Sequence, residues 1–265
     1  MLFKRCTITL GLIFYVASIF CSMNATDNSN KNIYENDDDV SQQSTQNFIV
    51  IPLGCHCGVA WWMREYNIRL FALPFDWCIT PYQALYKTIE SDFCHYFKKE
   101  NLVPSSKAYW SDYLYNFYKN VYHTNVDGSI GAVLDKKFQM IFAHDFPNNM
   151  HATINHNYDI QYTKYSRRIK RFFEVINSGK HIYFMRLHDI TKKEALALYQ
   201  LLKTKYPTTP FTLIALGSDS QEFSQDWGLP EIKNIFISEE TVNVTSLGTV
   251  FWQELVRNLV NESFL

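Results

Sequence analysis

The second half of the chain alternates between two hydrophobic periods, and this alternation limits its folds more than any other feature. Tyr165, Ile169, Phe172, Phe173 and Ile176 fall at i, i+4, i+7, i+8 and i+11, the stripe of an amphipathic helix, and Gly179 follows as its stop. HIYFMRL, from His181 to Leu187, then reads as a strand. Thr191 to Lys203 predicts a helix, with Thr191 as cap and Glu194 three residues on. FTLIALG (Phe211 to Gly217) and NIFIS (Asn234 to Ser238) predict two more strands, and Thr249 to Val260 a closing helix. Strands separated by helices in this order require parallel crossovers. The expected fold class is therefore α/β: a single domain with a mixed, largely parallel sheet flanked by helices.

The first half is less regular. FIVIPL, from Phe48 to Leu53, reads as a buried strand, with a turn at Gly54 and a helix from about Cys57 to Tyr66. A second helix is expected after Pro81, since proline suits a first helical turn. Lys137 to Ala143 predicts a strand. Asn101 to Gly131 is rich in tyrosine but has no period, and no element is assigned there. Aromatic residues make up 16% of the chain, so the core must be bulky and must find partners for Tyr and Trp polar groups.

The N-terminal segment has a different character. Lys4 and Arg5 precede an apolar run from Cys6 to Cys21 that is short for a membrane span and has the form of a secretory signal peptide. Residues 1–25 are read as that signal, with an uncleaved anchor as the alternative. Residues 26–47 are polar and acidic, Asp37, Asp38 and Asp39 included, and are read as a disordered stem; residues 48–265 form the folded domain. The expected location is secreted, extracytoplasmic or luminal, or a membrane attachment through the N-terminus. A formal net charge of −1 gives no global attraction to nucleic acid. Asn24, Asn243 and Asn261 are glycosylation acceptors in a host that modifies exported proteins.

The chemistry concentrates at Gly54-Cys55-His56-Cys57, between a strand and a helix. A thiol at a helix N-terminus feels the positive end of the dipole, which favours the nucleophilic thiolate. The other reading of such a cysteine is a buried structural thiol. The block from Pro52 to Trp77, PLGCHCGVAWWMREYNIRLFALPFDW, resembles the opening of a domain family described as papain-like cysteine peptidases. Leu53-Gly54, Cys57, Ala60, Arg64, Ile68-Arg69 and Pro74-Phe75-Asp76-Trp77 carry the resemblance; Pro52, Met63 and Asn67 depart from it. Further matching stretches are FAHDF (Phe142 to Phe146), KYSRRI (Lys164 to Ile169) and YFMR (Tyr183 to Arg186).

The resemblance implies a Cys57 nucleophile, a His144 general base and a carboxylate that orients the histidine, either Asp76 or Asp189. It implies an α+β papain-like fold as the alternative architecture, with histidine on an antiparallel sheet. Arg69 and Arg186 are candidates to bind a substrate carboxylate or phosphate or to pair with the aspartates. Trp77 is a candidate wall of the site.

No metal or cofactor is expected. Cys55, His56, Cys57, Cys78, Cys94 and His95 lack the paired spacing of a zinc site. Cys78 and Cys94 are read as core thiols or a disulfide pair. The basic run Lys164, Arg167, Arg168, Lys170 and Arg171 is read as a solvated helix face, with an anion- or headgroup-binding patch as the alternative. The functional expectation is a secreted thiol hydrolase acting on a peptide, amide or glycoconjugate. The alternatives are a luminal glycosyltransferase-like enzyme, against which stands the lack of a D-x-D motif after a strand, and a non-catalytic secreted binding or effector protein.

Overall fold

A computed structural model of the chain describes residues 46–55, 57–105, 107–116, 132–143, 145–146, 150–188, 190–237 and 246–261. The expected signal and stem fall outside these residues, apart from Gln46 and Asn47. The strands are β1 (Phe48–Pro52), β2 (Cys78–Ile79), β3 (Leu102–Pro104), β4 (Val133–Asp135), β5 (Met140–Phe142), β6 (His181–Leu187), β7 (Phe211–Gly217) and β8 (Ile232–Phe236). The helices are α1 (Gly58–Glu65), α2 (Tyr82–Glu90), α3 (Met150–Ile176), α4 (Lys192–Lys205), α5 (Ser220–Phe223) and α6 (Ser246–Val260).

The fold is mixed α/β, as the alternation of periods predicts, but its strands are divided between two sheets. One runs β1-β6-β7-β8, and every described pairing in it is parallel. The other runs β2-β5-β4-β3 and is antiparallel. The parallel sheet is buried on both faces. Phe48, Val50, Tyr183, Met185, Leu187, Ile214 and Leu216 pack with Val59, Trp62 and Met63 of α1 and with Trp252, Leu255 and Leu259 of α6. The alternate residues Ile49, Ile51, Ile182, Phe184, Leu213 and Ala215 pack on the opposite side with α2, α3, α4 and one face of the antiparallel sheet. Burial on both faces explains why these strands are continuous apolar runs rather than alternating ones.

The antiparallel sheet has strands of only two or three residues. Met140 and Phe142 face the main core, whereas Ile141 joins Ile79, Leu134, Leu114 and Cys55 in a small separate cluster. Of the expected strand Lys137 to Ala143, only Met140–Phe142 pairs, because Lys136 to Gln139 form the turn of the β4–β5 hairpin, with Gln139 at φ 58°.

Helix α3 begins fifteen residues earlier than the stripe from Tyr165 indicates. Its N-terminal half looks polar in sequence, yet Ile154 is buried and Tyr158 stacks on Phe97 and donates a hydrogen bond to its carbonyl. Helix α4 begins with the expected capping box: Glu194 N–H donates to the Thr191 hydroxyl, and the Thr191 N–H donates to the Glu194 carboxylate. Among the described residues no helix is long and apolar enough to cross a membrane.

Candidate active site

The chain leaves β1 through a strained turn. Leu53 N–H still follows the sheet and donates to Met185 O at 2.9 Å. Gly54 then takes φ +73° and Cys55 φ +76°, both in the left-handed region. That region suits glycine and is costly for cysteine. Gly54 also lacks room for a side chain, since a Cβ there would lie 2.7 Å from Thr80 Cβ. The turn thus fits directly against the residue that follows β2, and Thr80 N–H donates to Cys55 O at 3.2 Å.

This turn separates the two cysteines. Cys55 is fully buried in the small cluster behind the antiparallel sheet. Cys57 is partly exposed and occupies the N-cap of α1, where its carbonyl accepts the Trp61 N–H at 2.9 Å. The first turn of α1 holds no acidic residue, so no carboxylate there cancels the positive end of its dipole.

Cys78 and Cys94 have different surroundings again, and all four thiols among the described residues are outside disulfides. Cys78 is buried against Pro74 O and the hydroxyls of Tyr96 and Tyr165. Burial, helped by the nearby Asp145 charge, pushes its thiol up to about 12, which makes it inert as a nucleophile. Cys94 is exposed in a turn beside His95.

The Pro74-Phe75-Asp76-Trp77 block forms the turn into β2. Asp76 is buried. Its Oδ2 accepts Leu73 N–H at 3.0 Å and the Nε and Nη2 of Arg69 at 3.1 and 2.8 Å. Its Oδ1, equally buried, has no hydrogen-bond partner among the described residues. Burial raises the carboxyl above its ordinary range, against the pull of Arg69 and the Leu73 N–H. The Trp77 ring lies under both the Arg69 and the Arg64 guanidinium, at 5.3 and 5.7 Å from its centroid. Arg69, Asp76 and Trp77 are therefore one assembly. Arg69 is committed to Asp76 rather than open to solvent.

The antiparallel register pairs Cys78 with Phe142 and Ile79 with Ile141, which directs the chain leaving β5 toward the Asp76–Trp77 turn. His144, His56 and Asp189 lie outside the described residues. Asp145 is described, and it turns inward. Lys164 Nζ is 2.9 Å from its Oδ1, Arg168 Nη1 is 4.0 Å from the same oxygen, and the Tyr165 hydroxyl donates to Oδ2. Burial would push this carboxyl up, but the charges of Arg168 and Lys164 and the Tyr165 hydroxyl outweigh burial and hold it below the ordinary range.

The basic run on α3 is thus not a uniformly solvated face. Lys170 is exposed, but Arg168 is 1% exposed and Lys164 largely covered. Their buried counter-charge, Asp145, lies about twenty residues earlier, and no local spacing rule reaches that far.

Arg186, a candidate to bind substrate or to pair with an aspartate, is fully buried. Its Nη1 donates to Leu53 O and to Thr80 O, each at 2.8 Å. Thr80 is the site residue that the sequence did not mark. Nothing in a lone threonine after a short strand signals that its backbone closes the thiol turn.

Comparison with known proteins agrees with the motif. An uncharacterized protein of Acanthamoeba polyphaga mimivirus, R408, is 23% identical over 227 residues, which cover 79% of this chain and 97% of the relative. No solved structure is significantly similar. A family model described as "Putative papain-like cysteine peptidase" matches residues 48–210, from the first residue of β1 to the residue before β7. The chain belongs to this papain-like cysteine peptidase family.

Proposed function

We propose that the protein is a secreted thiol hydrolase of peptidase type, with Cys57 as nucleophile, His144 as general base and Asp76 as the orienting carboxylate. The observation that carries this reading is the contrast among the four described thiols. Only Cys57 combines partial exposure with a helix N-terminus; Cys55 and Cys78 are buried, and Cys94 lies in a turn. The family membership supports the reaction class.

The unpartnered Oδ1 of Asp76 supports its role, because a buried carboxylate oxygen without a donor is costly and an imidazole N–H is a donor that would satisfy it. The β2–β5 register supports the choice of His144, since the chain after β5 heads for the same turn. Asp189 follows β6 and is the alternative orienter. In the reaction the Cys57 sulfur attacks the substrate carbonyl carbon and its proton passes to His144, which returns it to the departing amine. Water then cleaves the thioester and regenerates the thiol. Backbone N–H groups at the start of α1 would stabilise the oxyanion. The apolar run Cys6 to Cys21 supports export.

A vinyl-sulfone peptide probe, with peptide-resolved mass spectrometry, tests the assignment. Cys57→Ala abolishes labelling, Cys55→Ala preserves it, and His144→Ala slows it on the order of 100-fold or more. Equal labelling of the Cys57→Ala protein would sink the reading.

A further inference from the structure

Helix geometry sets what stands in line with the proposed nucleophile. Cys57 has the helical φ −69° and ψ −4°, and its carbonyl accepts the Trp61 N–H at 2.9 Å, so it already belongs to the spiral of α1. In an α-helix, positions four and seven residues along return to nearly the same direction. From Cys57 those positions are Trp61 and Arg64. All three are partly exposed, whereas Val59, Ala60, Trp62 and Met63 turn into the core. The uncovered face of α1 is thus a stripe of thiol, indole and guanidinium, bordered by Gly58 and Glu65. The helical rise of about 1.5 Å per residue sets the Arg64 Cα about 10 Å from that of Cys57.

Arg64 is fixed in place by a ring rather than by a buried carboxylate. Its guanidinium lies over Trp77, 5.7 Å from the centroid, on the indole that Arg69 also meets at 5.3 Å. Stacking on an aromatic face orients an arginine and leaves its N–H edge able to donate to a carboxylate. Its ion pair is with Glu65, 3.8 Å away, and the two side chains are 36% and 46% exposed. A pair so exposed contributes little, so an incoming carboxylate can replace Glu65. Arg69 is 12% exposed and gives two nitrogens to Asp76. Of the two arginines on Trp77, Arg64 is therefore the one offered to a ligand, on the same face of α1 as the thiol and at a set distance from it.

We propose that Arg64 selects an acidic residue in a peptide substrate, its carboxylate about three residues from the scissile bond. An extended chain advances about 3.3 Å per residue, so three residues span the distance from Cys57 to Arg64. This rests on the reading of Cys57 as the nucleophile. It names the substrate class of that site: peptides with an acidic residue near the cleaved bond.

The test uses the full chain and three probes, bromoacetyl-Ala-Ala-Glu-amide and its Gln and Lys counterparts. A thiolate displaces bromide from each, and labelling rates are resolved by peptide. Cys94, exposed and outside α1, is measured in the same digest as the internal reference. In the native protein the Glu probe labels Cys57 about threefold to fivefold faster than the Gln probe, relative to the same ratio at Cys94, and the Lys probe is slower still. Raising the salt to about 0.5 M brings the ratio toward unity. Arg64→Gln abolishes the preference, Arg64→Glu reverses it in favour of the Lys probe, and Arg64→Lys keeps its sign. An arginine that served only to pack Trp77 would change the three rates together and leave their ratios alone.

Equal labelling of native Cys57 by the Glu and Gln probes, relative to Cys94, overturns the proposal and leaves the nucleophile in place. So does a preference that persists in Arg64→Gln and Arg64→Glu, since another cation would then hold the acid. If Arg64→Glu gives no cooperative melt, Arg64→Gln is read alone by the same ratio, and the salt series needs no variant. If the probes label Cys94 but not Cys57, the nucleophile reading fails and this inference fails with it.

Discussion

The two sheets are built from different materials. The parallel sheet has strands of five to seven residues and a core of aliphatic and aromatic side chains. The antiparallel sheet has strands of two or three residues, and around it lie the buried Asp76, Thr80, Ser105, Asp135, Asp145 and Arg168. One half is held mainly by burial of apolar surface, which needs no partner geometry, although Arg186 of β6 is buried there too. The other is held by buried charges that must meet specific partners, and it stands or falls with them. The candidate site lies where the two meet: the thiol turn hangs from the parallel sheet, and the Asp76 turn leads into the antiparallel one.

The sharpest way to break this contrast is to remove one charge. Asp145→Asn removes the buried charge that faces Lys164 and Arg168 and should cost about 3–5 kcal/mol in urea unfolding. Leu213→Ala, in the fully buried strand β7, should cost about 3 kcal/mol. The second loss should be nearly the same at pH 3 and pH 7, whereas the first should shrink as pH falls below about 4. A lowered folded-state value means that the Asp145 contribution is present above the ordinary carboxylate range and is lost as pH falls through the folded value. Equal pH dependence of the two variants would erase the distinction.

Asp135 sharpens the contrast with the opposite sign. One oxygen caps the N–H groups of Lys137 and Phe138 in the β4–β5 turn, the other is buried without a partner, and burial raises the carboxyl to about 6. A raised value gives a contribution fully present below about pH 4 and lost as pH rises through about 6. The stability of the native protein relative to Asp135→Asn should therefore improve by about 2–3 kcal/mol between pH 7.5 and pH 4. A flat difference would show that the carboxyl is ionised in the fold without penalty. The smallest expected effect belongs to the parallel half. Thr191→Ala removes the capping box of α4 and should cost about 1 kcal/mol, unchanged over the same pH range.

The same division governs what the sequence disclosed. Long apolar runs report themselves, so β1, β6 and β7 and the capped start of α4 are legible residue by residue. Strands β2, β3 and β4 are too short to develop a period, and their pairings are set by contacts distant in sequence. The Pro74–Trp77 block was visible through its resemblance, and Arg69 with Asp76 through their chemistry. The roles of Arg168 and Arg186 were not visible, because a basic residue on a helix or strand looks alike whether it meets water, a substrate or a buried carbonyl. The periods predicted the parallel sheet, and the fold adds an antiparallel one to it.

The pairing of β1 has a consequence in time. Its partner in the parallel sheet, β6, lies some 130 residues later, and the entire antiparallel sheet intervenes. A strand that emerges early from the ribosome must wait for one made much later, and such non-local pairing is slow. The turn that carries Cys57 is suspended from that waiting strand, and Arg186 arrives with β6 itself. An unfinished chain has neither the sheet nor the Arg186 side chain that bonds Leu53 O and Thr80 O. Assembly order thereby leaves the turn before Cys57 unfinished until β6 has been synthesised.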